Sequence, residues 1–414
     1  MTKAFAKSSL ATRRRILKSG LAASLLPVCL PGLSGFARAG TTDASGRRFA
    51  FVILRGAMDG LAAVPPLGDP AYRRTRGILS LDAAIAPHLD GDFGLHRTFA
   101  FLRECYDADD ALMFHAIASP YRERSHFDGQ DMLETGSAGR PGEPMLRDGW
   151  LARALESADR KAGVGPARAV AIARTMPLAL TGSRRAGTWS PSHLPEPGGN
   201  LFERLAMLYE DDPLLRDALD MARQSAALTD GLGMPGKAGR GGQAFSIAAK
   251  AAGRFLSADD GPDIAVLELS GWDTHANQGT AEGQLARQFA ALDQGLKSLK
   301  TALGPAWRRT AILCLTEFGR TARPNGTGGT DHGTASAGFL LGGAVAGGRI
   351  VADWPGLSAA SLFEERDLRP TLSTQRVLKA VLQDHLGLPA DRVDSAVFPG
   401  TADRPALGGL FRIT

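Results

Sequence analysis

The chain alternates near-continuous apolar runs with stretches in which apolar residues recur every three or four positions. Six runs read as strands, at 49–54, 112–117, 169–173, 264–269, 311–316 and 339–341, each bounded by polar or glycine residues. Unbroken apolarity, rather than strict alternation, is what a strand covered on both faces requires. Between the fourth and fifth runs, Leu285, Phe289, Leu292, Leu296, Leu299 and Leu303 follow steps of four and three, which predicts a helix over 281–303 with Thr280 as N-cap and Gly304-Pro305 as its stop. A second helix is expected over 373–386, where Val377, Leu378, Val381 and Leu382 share one face. Strands alternating with helices predict an α/β fold, a sheet with helices on its faces. The strand-helix-strand unit around 281–303 then places Asp273, His275 and Glu317 at one end of that sheet, the carboxyl edge where sites form in open α/β sheets. Segments 140–165 and 182–245, rich in Gly, Pro, Arg and Ser, read as insertions into a single domain over 40–414, with a loose stretch at 231–242.

The first 39 residues carry a different pattern. Thr12-Arg13-Arg14-Arg15-Ile16-Leu17-Lys18 precedes an apolar run from Leu21 to Phe36 and the small-residue tripeptide Ala37-Arg38-Ala39. Paired arginines before an apolar run resemble a twin-arginine export signal, so the partner expected first is the twin-arginine machinery and the destination the periplasm or the exterior. Pro27, Pro31, Gly32 and Gly35 interrupt the run, so no stable membrane span is expected after processing.

Removing that segment changes the charge. The whole chain is +5, but seven basic residues and no acidic one fall within 1–39, leaving 41 basic against 43 acidic residues. The basic excess that would suggest nucleic acid as partner therefore belongs to the signal, and nucleic-acid binding is excluded. Of the three cysteines, Cys29 lies in the signal; Cys105 and Cys314 remain, and Cys314 within an apolar run reads as a buried free thiol, with no disulfide framework.

Candidate chemistry gathers after the strand runs. Asp59, in FVILRGAMDG, follows the first run between Gly56 and Gly60 and suits either a metal ligand or a turn. In SPYRERSHFDGQDMLETG, Ser125 stands at a helix start, where backbone N–H groups favour either an alkoxide nucleophile or a cap; His126 and Arg124 either assist it or form polar surface. In LELSGWDTHANQG, Asp273 and His275 lie two apart on an extended segment and share a side, a carboxylate and an imidazole suited to zinc or a similar divalent ion. Glu268 is either an outer partner of that pair or an in-sheet residue, and Trp272 reads as core or cleft wall. Finally, in TEFGRTARPNGTGGTDHG, Glu317 ends a strand and Asp331-His332 closes a loop holding Gly326, Gly328, Gly329 and Gly333, whose freedom lets separate loops meet. No Walker loop or strand-linked GxGxxG occurs.

The export signal, RGAMDG, RSHFDGQDMLETG, GWDTH with Gln278, TEFGR and GTDHG together resemble the bacterial "domain of unknown function 1501" family over nearly the whole mature chain. That family is similar to the alkaline phosphatase and sulfatase superfamily. The resemblance implies an alkaline-phosphatase-like α/β fold, a mixed, mostly parallel central sheet between helical layers, with one or two divalent metal ions. It also implies metal ligands at Asp59, Asp273, His275, Glu317, Asp331 and His332, with a catalytic region at Ser125 and His126. The chain departs from the superfamily in that Phe318 follows Glu317, and the Asp-His pair arrives only at 331–332. No cysteine lies near Ser125, which leaves a cysteine-derived formylglycine without support. The function expected is a metal-dependent hydrolase of phosphate or sulfate esters acting on an anionic ester. The alternative is a non-catalytic envelope protein that binds a polymer and retains the fold.

Overall fold

The computed structural model describes residues 46–158, 168–191, 200–232 and 242–413. The expected export signal lies outside the described residues, as do 159–167, 192–199 and 233–241 within or beside the expected insertions. In chain order the strands are β1 (Arg48–Arg55), β2 (His88–Asp90), β3 (Phe93–Gly94), β4 (Ala111–Ala118), β5 (Ala169–Ile172), β6 (Ala186–Trp189), β7 (Ile264–Ser270), β8 (Thr310–Thr316), β9 (Ser336–Leu341), β10 (Arg349–Val351) and β11 (Leu372–Ser373). β2 and β3 form a small separate hairpin. The remaining strands make one sheet in the order β10-β4-β9-β8-β1-β7-β5-β6, with β11 also on β4. β9 runs antiparallel to both β4 and β8, and the other pairings are parallel. All six expected strands are present, and the sheet is mixed and mostly parallel.

Strand β1 shows why the runs are apolar throughout. Ala50, Val52 and Leu54 point into one core with Phe289, Leu292 and Leu296 of the helix Gln284–Leu303 and with Phe245 and Phe255 of the helix Gly242–Ser257. Phe49, Phe51 and Ile53 point the other way, onto Trp150 and Leu151 of the helix Trp150–Ser157 and Val377 and Leu378 of the helix Thr374–Ala380. Period-two alternation thus splits between two apolar layers, so helices cover both faces. The two long helices of the first layer press together at glycines: a Cβ on Gly295 would sit 2.2 Å from a ring atom of Phe245, and one on Gly253 2.6 Å from Ala302.

Two boundaries differ from expectation. The long helix begins at Gln284 with Gly283 at the cap, not at Thr280. The chain first makes a tight turn in which Gly279 and Gly283 hold φ of +81° and +121° and Leu285 N–H donates to Gln278 O at 3.1 Å. The last helix is α-helical over Thr374–Ala380 and widens into a π turn over Val381–His385, which carries the fully buried His385 to donate from Nε2 to Arg48 O at 2.8 Å. Cys314 is a buried free thiol, as expected, and Cys105 is another. Among the described residues no helix is long and apolar enough to cross a membrane.

Two buried histidines make the fold acid-sensitive. Burial pushes the His115 and His385 imidazoles down to about 4. His115 Nε2 faces Val64 O at 2.9 Å while its Nδ1 accepts from Ala116 N–H at 2.8 Å, so a second proton has no acceptor. Above the ordinary histidine range neither group binds a proton in either state. Between about pH 6.5 and pH 4 the unfolded chain takes up protons that the fold excludes, so stability falls with pH by up to about 3 kcal/mol per histidine. Urea midpoints at pH 7 and pH 4.5 should show this loss, and a midpoint unchanged across that window would contradict it.

Candidate metal centre

Parallel pairing brings the chemistry to one rim. β1, β4, β7 and β8 all point their carboxyl ends to the same edge, and the antiparallel β9 begins there. Asp59 therefore follows β1, Ser125 and His126 follow β4, Asp273 and His275 follow β7, Glu317 follows β8, and Asp331-His332 precedes β9. The glycine-rich loop folds back because its backbone can approach others closely. A Cβ on Gly329 would lie 2.4 Å from His275 O, and one on Gly333 2.4 Å from Arg320 O. Arg320 pairs with His332 and Ala276 with Gly328 as isolated bridges, which lays the Asp331-His332 pair against the β7 loop.

At this rim His126, Asp273 and His332 each offer a donor atom within 4.8 Å of the others. His126 Nε2 and His275 Nε2 each stand 3.0 Å from His332 Nε2. Asp273 Oδ1 lies 2.9 Å from His275 Nε2 and 3.2 Å from His332 Nε2, and Oδ2 lies 3.4 Å from His126 Nε2. The opposite nitrogen of each ring is held by an oxygen. His126 Nδ1 faces Glu317 Oε1 at 2.8 Å, His275 Nδ1 faces Asp331 Oδ1 at 3.2 Å, and His332 Nδ1 faces Arg124 O at 2.9 Å. Carboxylate and carbonyl oxygens only accept, so each Nδ1 donates to its partner, which leaves Nε2 as the lone-pair nitrogen whenever the ring is neutral. The Nε2 atoms of His126 and His332 then converge with the Asp273 carboxylate, with His275 Nε2 next to His332 and Asp273, an arrangement that suits a cation and that oxygen partners on the far nitrogens commonly orient. Two or three imidazoles and one carboxylate fit a zinc-type ion.

The surrounding charges tune these groups. The Glu317 hydrogen bond, ahead of the opposing effect of burial, raises His126 above the ordinary histidine value. Burial and then the His126 charge lower His332. For Asp273 burial works upward, but the hydrogen bond and charge of Arg320 outweigh it and hold the carboxyl low. Glu317 is likewise pushed up by burial and brought below its usual value by bonds from His126, Gln130 and the Gly56 N–H. The Asn325 side chain, with His275, holds Asp331 low. Asp273 and His275 keep 40% and 46% of their side-chain surface exposed, so the site opens to solvent.

The other expected residues sit differently. Asp59 is 1% exposed, and its carboxylate takes two backbone N–H groups at the start of the helix Gly60–Ala63, the Arg76 guanidinium at 2.5 Å and Gln278 Nε2 at 2.7 Å. It is not among the converging donors. Glu317 is fully buried, with Oε1 on His126, Gln130 and Gly56 and Oε2 2.9 Å from Thr316 Oγ1. Ser125 occupies the N-cap position of the helix His126–Thr135, but its side chain makes no cap bond; its N–H donates to the Tyr121 hydroxyl at 3.0 Å. Glu268 accepts from Arg55 at 2.6 Å, and Trp272 is fully buried in the core. Phe318 stacks on the His126 ring at 4.9 Å.

Arg320 was not among the residues expected at the site; Arg124 was, as a helper of Ser125 or as polar surface. Arg320 is buried and its guanidinium holds both Asp273 and Thr330 O. Its place in TEFGR, three residues after Glu317, was the signal available. Arg124 sits at φ +62°, a strained conformation for a side chain of its size, and is gripped by Asp367 at 2.8 Å and by Glu364.

The profile of a family described as "Protein of unknown function (DUF1501)" matches residues 47–397. The chain belongs to this family. No curated protein is significantly similar to this DUF1501 member. Among solved structures, it shares 14% identity with the phosphonate monoester hydrolase of Agrobacterium radiobacter, over 74% of this chain and 70% of that one, at a TM-score of 0.37. The phosphonoacetate hydrolase from Sinorhizobium meliloti, solved in complex with phosphonoformate, shares 17% over 66% and 56%, at 0.31. The C-terminal periplasmic domain of EcEptC from Escherichia coli, solved in complex with Zn, shares 12% over 85% and 87%, at 0.37.

In the metal-free protein, E317Q should lower the His126 pKa toward the ordinary histidine value, because the carboxylate that favours the imidazolium is gone. Resonances of the histidine ring protons followed across pH would read this directly. A His126 value unmoved by E317Q would show that Glu317 does not set its charge.

Proposed function

We propose that this DUF1501 protein is an exported hydrolase of phosphate or sulfate esters that works with a single divalent ion. The convergence of the His126 and His332 Nε2 atoms with the Asp273 carboxylate, each ring fixed by an oxygen behind it, is the observation that supports this most. His126, Asp273 and His332 hold the ion, with His275 as the fourth donor; Glu317 and Asp331 act behind the ligands. Asp59 and Glu317 have every carboxylate oxygen engaged by protein groups, which favours one ion over two. The twin-arginine pattern at residues 12–39 supports export before the protein meets its ester.

A bound divalent ion supplies positive charge that neutralises the ester's oxyanion and the charge developing in displacement. The chain supplies the rest. Arg320 fixes the Asp273 carboxylate from a buried position, so the ligand does not swing. Ser125, adjacent to His126 and at the start of a ten-residue helix, offers the nucleophilic hydroxyl where helix N–H groups favour a developing alkoxide. The open side at Asp273 and His275 admits the ester.

Protein purified with its native metal should carry about one divalent ion per chain and turn over p-nitrophenyl phosphate, p-nitrophenyl sulfate or a phosphonate monoester, as the donor set implies. H332A should lose the ion, and D273N should lose both ion and turnover. E317Q should weaken metal affinity about 10- to 100-fold, the usual effect of removing a partner behind a ligating histidine. A chain that retains no divalent metal and shows no Asp273-dependent turnover would instead be a non-catalytic binding protein of the envelope.

A further inference from the structure

The arginines around the candidate centre are matched with carboxylates: Arg55 with Glu134 and Glu268, Arg76 with Asp59, Arg124 with Asp367, and Arg320 with Asp273. Two others depart from this pattern. Arg122, half-buried in the loop that leads from β4 to Ser125, donates through Nη1 to the carbonyls of Ser119 at 2.5 Å and Tyr121 at 2.6 Å. Arg404 donates through Nη1 to Ala138 O at 2.9 Å and to the Gln375 side chain. Neither guanidinium has a carboxylate partner among the described residues. Both grip the same junction, because Gly139 packs directly on Pro120, with a Cβ there only 2.6 Å from the proline ring. Burial and the Arg404 charge both disfavour the charged form of Arg122, so the pair is held together against its own repulsion.

Each guanidinium uses one nitrogen on neutral acceptors, and its fork retains donors suited to an oxyanion. Two such forks with no internal anion form a receptor for a tetrahedral dianion. We propose that Arg122 and Arg404 form an anion subsite where the loop leading to Ser125 meets Gly139, which binds a second phosphate or sulfate group of the same substrate. The role in substrate binding rests on the hydrolase reading above, and it makes the preferred substrate polyanionic. The subsite itself stands apart from that reading, because the loop 119–124 carries it whether or not an ion is bound at the candidate centre.

Isothermal titration of EDTA-treated protein with inorganic sulfate reads the subsite alone. Wild type and D273N should bind sulfate equally, while R122Q and R404Q should each weaken binding by about tenfold or more, as expected for removal of a charge-assisted fork. No sulfate binding by wild type, or equal binding by all four proteins, overturns the proposal. Because R122Q also removes a brace on the loop, R122K serves as a second variant: it retains the charge without the fork and should bind sulfate more weakly than wild type while unfolding at the same temperature. Loss of metal by H332A with sulfate binding intact would leave the subsite standing, and the reverse outcome would leave the metal centre standing.

Discussion

The rim depends on β1 lying between β7 and β8 in level parallel register. Leu54 pairs with both Leu269 and Thr316, so the three strands end at one height and release their loops together. Gly56 makes that closeness tolerable. At φ +119°, a Cβ on it would stand 2.8 Å from Asp273 N and 3.1 Å from Trp272 N, so a side chain here would push the β1 and β7 loops apart. Its N–H then donates to Glu317 Oε1 at 2.8 Å, which ties the β8 loop to the same point. Three loops distant in sequence are thereby fixed before any ligand chemistry begins.

Around that point the polar groups form nested shells. The imidazoles are the inner shell, and Glu317, Asp331 and the Arg124 carbonyl choose which nitrogen of each carries its proton. Arg124 can present that carbonyl only because Asp367 and Glu364 hold its side chain, and two residues of the opposing turn, Glu364 and Glu365, share its positive φ. Strain of this kind persists where surrounding contacts over-determine the backbone.

Beneath the rim, buried ion pairs do the bracing. Arg76 and Asp59 are both almost fully buried, and removing either partner would leave an uncompensated charge, a change that costs about 3–5 kcal/mol. Gln278 links this pair to the open site: its amide nitrogen reaches Asp59, its carbonyl oxygen accepts from Thr274 and Thr330, and Thr330 meets Arg320, which holds Asp273. Asp59, expected as a metal ligand, is thus engaged by protein groups and underpins the loop that carries Asp273.

Six strands of the main sheet, the long helix and the layered α/β architecture were legible in the sequence alone, because burial on both faces imposes continuous apolar runs and a three-four helical repeat that need no partner to be read. The sequence also marked every loop on which the polar rim is built, since glycine and aspartate cluster where strands end. Tertiary structure alone decided which polar groups meet. Asp59 and Glu317 look alike in sequence to Asp273, each an acid just past an apolar run, yet two are buried against donors and the third stays half-open beside three imidazoles. Arg320 and the turn before Gln284 were equally silent, because their roles come from contacts between loops far apart in the chain. A side chain's charge partners and exposure depend on which strands become neighbours, and local composition does not encode that neighbourhood.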